Sequence, residues 1–281
     1  AASDEWTKEL KYDFAPHDAG RYPLLNGQVY GGNKLEYQMP VEECGNLLVM
    51  VTTTAIAEND PSFASAHWDT IAGWVKYLIE YGEDPANQLC TDDFAGHLAR
   101  NANLSVKAIL GIAAYGYIAG EKGDKATCEK MMAKAKEMAQ EWMTLADAGD
   151  HYSLSFGNKE SWSQKYNMVW DKLMGWEIFP EEVKQKELAY YLTKQNQYGL
   201  PLDSRRNYTK SDWIMWTATL ADDHETFMKF VQPIYDFANE TTDRIGLTDW
   251  YNTDSDKRVG FEARPVLGGF YIKMLEEKFS K

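Results

Sequence analysis

This sequence predicts an all-α fold, an (α/α) toroid of helical hairpins. Three observations lead there. Apolar residues recur at helical spacing along most of the chain, and strand signal is sparse. The helical segments are of two kinds, one amphipathic and one apolar nearly all round. The two kinds alternate along the chain, as they must when inner helices pack together and an outer ring covers them.

The amphipathic segments carry one stripe each. Trp68–Tyr81 places Trp68, Ile71, Ala72, Val75, Leu78 and Ile79 together, with Lys76 and Glu80 outside the stripe. Asp124–Ala146 repeats this through Cys128, Met131, Ala135, Met138, Trp142 and Leu145. His224–Glu240 does so through Phe227, Val231, Ile234 and Ala238, and Glu181–Lys194 more weakly. The apolar segments leave no wet face: Leu47–Val51, Ala108–Ala114, Met168–Trp176, Trp213–Leu220 and Val266–Tyr271. Helices of that kind are expected to be buried on every side. The alternation gives nine helices, whereas a closed ring of six hairpins takes twelve. The expectation is therefore one domain over residues 1–281, with three helices upstream in a longer parent chain.

Composition narrows the function. Lys and Arg number 29 against 43 Asp and Glu, a net charge of −14, which disfavours a phosphate-gripping surface and hence nucleic acid as partner. No stretch reads as long and apolar enough to cross a membrane. Cys44, Cys90 and Cys128 are odd in number and widely spaced, which is neither a zinc pattern nor a disulfide framework. His224-Glu225 has no second histidine at helical spacing, and no calcium-loop signature occurs, although Asp92 and Asp93 could offer oxygen ligands. No metal or cofactor is expected.

The segments that enter the apolar helices are long, polar and aromatic: Phe14–Glu43, Cys90–Asn103, Asp150–Asn167, Gly199–Trp213 and Arg244–Arg264. In an alternating ring they share one face, the usual place for a site on a rigid scaffold. The catalytic candidates there are Glu42, Glu43 and Asp93, since a carboxyl group in a partly dry mouth can have a raised pKa and act as general acid. The binding candidates are His17, Asp18, Asp92, Asp212, Trp213, Asp249, Trp250 and Arg264. Each has a plainer account. Glu42 and Glu43 suit a helix dipole, Asp92 and Asp93 can cap a turn, and His17-Asp18 can fix one. The two Asp-Trp pairs can each be a cap beside a core tryptophan, and Arg264 before Pro265 can brace structure.

At these same loops the runs PHDAGRYP, MPVEECGNLLVM, LCTDDFAGHLARNANLSVKAILGI, KYNMVWDKLMG, QYGLPLDSRRNYTKSDWIMWTATL and DWYNTDSDKRVGFEARPVLGGFYIKML resemble the glutaminase A family of fungi and bacteria. The resemblance is to its six-helical-hairpin domain and runs from about Trp6 to Leu275. It implies a secreted, periplasmic or envelope-associated hydrolase releasing ammonia from L-glutamine. It also implies a longer parent with upstream β-rich domains as partners. It carries no catalytic assignment onto named residues. Cys44 stands in the VEE-x-GN run where the family has a small residue, and is read as a packing position. By analogy the fold suggests a second reading, a glycoside-processing enzyme or sugar-binding domain with paired carboxylates in an aromatic mouth. A third is a scaffold that is inactive without the upstream part. The expected ligand is small and polar, glutamine or a sugar.

Overall fold

The computed structural model describes residues 12–17, 34–90, 96–243 and 246–279. Three candidates, Asp18, Asp92 and Asp93, lie outside the described residues. Among those residues there are ten α-helices and a small three-stranded sheet, so the all-α class holds. The polypeptide divides into two compact units, Ala1–Trp142 and Met143–Lys281.

In the first unit, α1 spans Pro40–Glu58. Proline at its first position suits a helix start, and Glu42 and Glu43 in the first turn complement the dipole. It ends at Asn59, which takes the left-handed conformation with φ 53°. A short α2, Ser62–Ala66, leads into α3, Trp68–Tyr81, whose buried residues Ile71, Trp74, Val75 and Leu78 follow the expected stripe. Helix α4, Ala102–Glu121, is capped by Asn101, whose side chain accepts from the Asn103 and Leu104 amides at 2.9 and 3.1 Å. Every residue from Ala102 to Gly116 is buried.

Close packing of α1 on α4 depends on two glycines. A Cβ on Gly111 would fall 3.1 Å from the Gly45 Cα and 2.7 Å from Leu78 Cδ1. One sequence expectation is corrected here, because α4 is long and apolar enough to cross a membrane by length and composition. It is 94% buried within the protein and serves as the core helix. Helix α5, Lys125–Ala146, lays Met131, Ala135, Met138 and Trp142 inward, and the Trp142 indole donates to the Ala102 carbonyl at 2.8 Å.

In the second unit, a 3₁₀ turn at Tyr166–Met168 continues into α6, Val169–Met174. Asp171 then accepts the Ile178 and Phe179 amides at 3.0 and 2.9 Å. Helices α7 (Glu181–Leu192), α8 (Ser211–Thr219) and α9 (His224–Glu240) follow. Strand β1, Tyr208–Lys210, runs into α8 and pairs antiparallel with β2, Trp250–Asn252, in the register Tyr208 with Asn252 and Lys210 with Trp250. Strand β3, Arg258–Gly260, pairs with β2 across an irregularity at Trp250 and Tyr251. A 3₁₀ segment, Pro265–Tyr271, and α10, Ile272–Phe279, complete the described chain.

Three burial expectations are corrected. Met50, inside an apolar run, is 56% exposed, because α1 turns that one position outward. In α9 the buried residues are Phe230, Ile234 and Phe237, with Phe227, Val231 and Ala238 at the margins. The apolar Val266–Tyr271 run forms a 3₁₀ helix with no buried residue. Its paired glycines, Gly268 and Gly269, disfavour a regular α-helix through their backbone freedom.

Candidate functional site

Each unit gathers its own entry segments. In the first, the His97 ring meets the Glu36 carbonyl at 2.9 Å, and the Val41 amide donates to Gln88 at 3.0 Å. The segments before α1 and α4 therefore lie side by side. In the second, the backbones of Trp162 and Ser204 bond at 2.9 Å, Gln164 donates to the Leu200 and Pro201 carbonyls, and β1 pairs with β2. Its three entry segments thus form one layer.

The first unit builds two adjacent polar groups on the opening turns of α1. Glu42, 1% exposed, meets the Lys107 ammonium at 3.2 Å and accepts from Asn46 at 3.1 Å. Asn46 is one helical turn beyond Glu42 and also bonds Lys107. Gly45 makes this reachable, since a Cβ there would fall 2.5 Å from Lys107 Cγ. Beside it, His17 Nδ1 contacts Glu43 Oε1 at 2.5 Å and the His17 amide donates to Gln38 at 2.9 Å. A histidine oriented by a carboxylate is a proton-handling arrangement. Cys44, directly after the two glutamates, is fully buried and accepts from the Ala15 amide at 3.2 Å. Burial pushes its thiol pKa far up, which suits packing and disfavours a thiolate nucleophile.

The second unit brings together Asp212, Trp213, Asp249, Trp250 and Arg264 around a residue the sequence reading missed, Lys210. Lys210 ends β1, is 1% exposed, and holds Asp249 at 2.5 Å and Asp212 at 3.5 Å. Since both oxygens touch one ammonium, they lie no more than about 6 Å apart. Arg264 braces Asp249 from the other side through Nε and Nη2, at 3.3 and 2.5 Å. Aromatic rings enclose the cluster. Lys210 lies over Trp213 at 4.8 Å, Arg264 over Phe261 at 3.7 Å, and Trp250 contacts Phe261 and Tyr208. Trp213 is itself buried and stacks on Tyr166 at 4.6 Å, so its face is turned to the core as well as to the cation.

The two carboxylates are driven apart in acidity. Burial raises Asp212 to about 6, only partly offset by the Lys210 charge. Burial would raise Asp249 too, but hydrogen bonds from Arg264 and Lys210 outweigh it and hold that pKa below the ordinary value. Asp212 Oδ1 has only the long 3.5 Å contact with Lys210, Ser211 Oγ and Trp216 Nε1 have no hydrogen-bond partner, and Gly269 packs against both Asp212 and Trp216. A carboxyl group poised near neutrality beside a fixed carboxylate can give and take protons.

A third cluster also went unseen in the sequence. Lys165 and Glu187, both 0% exposed, meet at 3.3 Å. Lys165 also donates to the Tyr152 and Ser163 carbonyls at 3.0 Å, and Glu187 accepts the Tyr191 hydroxyl and the Tyr152 amide. Burial lowers the Lys165 pKa. The group ties α7 to the entry segment before α6. Among the described residues no cluster of His, Cys, Asp or Glu is arranged to hold a metal ion.

The architecture is that of a helical-hairpin protein. Over 99% of this chain and 79% of theirs it superposes on a glycosidase in wild-type form and on a glycosidase variant in complex with glucose. Both give a TM-score of 0.66 at 14% identity, a likeness in fold. More narrowly, residues 2–274 match the glutaminase A six helical-hairpin domain, and the chain belongs to that family. It is 36% identical over 270 residues to glutaminase A of Aspergillus oryzae, covering 93% of this chain and 39% of the relative. It is 28% identical over 355 residues to a probable glutaminase of Arthroderma benhamiae, covering 95% of this chain and 41% of the relative. The chain thus spans about two fifths of the length of these curated relatives.

Proposed function

We propose that this chain is the helical domain of a hydrolase that releases ammonia from the side-chain amide of L-glutamine, and that the Lys210 cluster handles the substrate. The observation that carries this is Asp212, a buried carboxyl group with a pKa raised to about 6, beside Lys210 and next to the Asp249–Arg264 pair that shares that lysine. Arg264 is 35% exposed and suits the α-carboxylate of an amino acid, a feature a neutral sugar does not need. Asp212 takes a proton from the attacking water as the C–O bond forms. It then returns the proton to the amide nitrogen as the C–N bond breaks, leaving glutamate and ammonia. Asp249 positions Lys210 and Arg264, and Trp213 and Trp250 wall the cluster. Glu42, Glu43 with His17, Asp18, Asp92 and Asp93 are the first unit's candidates for acid–base and binding roles. The relatives' name, glutaminase A, supports this choice of substrate. A secreted or envelope location and dependence on the upstream domains belong to the same proposal.

The test is ammonia release from glutamine by the full-length parent. Asp212→Asn is expected to lower kcat by about 10²- to 10⁴-fold, the usual contribution of a positioned acid–base group. Unchanged turnover refutes the assignment. One observation favours a second reading. Carboxylates within about 6 Å, one protonatable and one ionised, under aromatic rings, match the geometry of retaining glycoside hydrolysis. Cleavage of nitrophenyl glycosides without ammonia release from glutamine would select that reading.

A further inference from the structure

Backbone strain is concentrated beside the Lys210 cluster. Among the described residues five non-glycine residues take the left-handed conformation, and two of these, Phe261 (φ 52°) and Ala263 (φ 49°), stand two apart just before Arg264. A bulky side chain in that conformation is an outlier, and it persists only where the surroundings over-determine it. Here they do. The Thr248 hydroxyl donates to the Gly260 carbonyl at 2.7 Å, and the Ala263 amide donates to the Leu247 carbonyl at 3.0 Å. Arg258 donates to Glu262 within the turn at 2.6 Å. Burial does not explain an aromatic residue at this point, since Phe261 is 37% exposed. What its ring does is specific. It lies 3.7 Å from the Arg264 guanidinium and is backed by the Trp250 ring at 5.1 Å.

Arg264 needs such a hold. Its side chain is 35% exposed, so water offers the guanidinium an alternative to Asp249. Stacked on the Phe261 ring, it is kept flat and side-on to Asp249, which it meets through Nε and Nη2. Arg264 and Lys210 share one atom, Asp249 Oδ2, each at 2.5 Å, and Lys210 also reaches Asp212 Oδ1 at 3.5 Å. Chained together, these contacts put the guanidinium within about 8.5 Å of Asp212 Oδ1. Without Arg264, Asp249 would depend on Lys210 alone and would draw the ammonium away from Asp212. We propose that Phe261 is a positioning residue: its ring, held by the strained turn at residues 261–263, pins Arg264 on Asp249 and so keeps Lys210 shared with Asp212. This rests on the reading of the Lys210 cluster as the proton-handling site. The charges that act on Asp212 besides Arg264 are Lys210 at the end of β1 and Asp249 just before β2, and the 3₁₀ segment meets it through uncharged Gly269.

The experiment follows the Asp212 titration by ¹³C NMR of aspartate carboxyl carbons in this 281-residue chain, the signal being identified by its loss in Asp212→Asn. Phe261→Gly removes the ring yet suits the left-handed backbone, so the fold is kept. Taking a cation away makes a carboxyl group less acidic. The Asp212 midpoint should therefore rise in Phe261→Gly by about 0.5–1 pH unit, the order of one charge at that distance. Arg264→Gln should raise it at least as far. Phe261→Tyr, which keeps the ring, should hold the native midpoint. In an Arg264→Gln background Phe261→Gly should add nothing, because it acts only through the guanidinium. The proposal is overturned by an unmoved midpoint in either single variant, by an equal shift in Phe261→Tyr, or by a further shift in the double variant. Ammonia release by the full-length parent is measured beside it, and in Phe261→Gly its pH profile should move with the midpoint. A parent that releases no ammonia refutes the glutamine reading of the cluster, while the NMR midpoints still decide the role of Phe261.

Discussion

Replacing Asp212 by asparagine should weaken the activity and strengthen the fold. In the native protein burial lifts the Asp212 pKa from the ordinary 3.8 to about 6, and the side chain is 6% exposed. A carboxyl group whose folded pKa exceeds its unfolded value favours folding while it is protonated, and that favour disappears as pH rises through the folded value. At about 1.36 kcal/mol per pKa unit, the ionised group at pH 7–8 opposes folding by about 3 kcal/mol. An asparagine side chain there would carry no charge to desolvate and should remove most of that penalty. Urea unfolding followed by circular dichroism at pH 4.5, 6, 7 and 8 reads the difference. Asp212→Asn should be more stable by about 2–3 kcal/mol at pH 8, with the margin shrinking to about 1 kcal/mol or less at pH 4.5 and an unchanged m-value. Asp249 does not blur this window, because its pKa is held low and its contribution is lost only below the ordinary carboxylate range. A variant less stable at pH 8, or a difference that does not change with pH, would show that Asp212 is ionised at little cost and is not poised for proton transfer.

Other perturbations have equally definite outcomes. Lys165→Met should lower stability by about 3–5 kcal/mol, since Glu187 would be left buried without its cation, and adding Glu187→Gln should recover much of the loss. Chemical denaturation of the single and double variants checks both. Gly111→Ala should cost about 1–3 kcal/mol and lower Tm, because the new methyl would press on Gly45 and Leu78 across the contact of α1 with α4. Cys44 should resist iodoacetamide in the folded protein at pH 8 and react only after unfolding, as mass spectrometry of the alkylated peptides would show.

What could be read in advance follows from what each signal depends on. Helical periodicity is local, so α3 and α9 appear with the expected bounds and α5 within a residue of them. The family runs are local too. Burial of a run is not local. Met50 points out of an apolar stretch, and Val266–Tyr271 never becomes an inner α-helix, because each depends on what the rest of the chain places beside it. The candidate aspartates at 212 and 249 were visible as a repeated Asp-Trp pair on entry loops. Their partner was not, since Lys210 sits in TKSDW like any surface lysine, and only the pairing of β1 with β2 carries it beside Asp249.

The lysines change the meaning of the acidic excess. A net charge of −14 invites the picture of a mouth lined with uncompensated acid. Inside the protein the opposite holds. Lys107, Lys165 and Lys210 are all buried, and each is set against a buried carboxylate, Glu42, Glu187 and Asp249. Buried Asp171 is satisfied by two backbone amides and Asp203 by Arg205. Isolated buried charge is too expensive to keep, so the surplus must lie on the surface, and an interior carboxylate short of compensation stands out. Among the described residues Asp212 is that one. Its cation is shared, at the longer distance of 3.5 Å, with a carboxylate that Arg264 also holds. In a protein that compensates its other buried carboxylates, that shortfall, rather than the overall acidity, singles out the group proposed to move a proton.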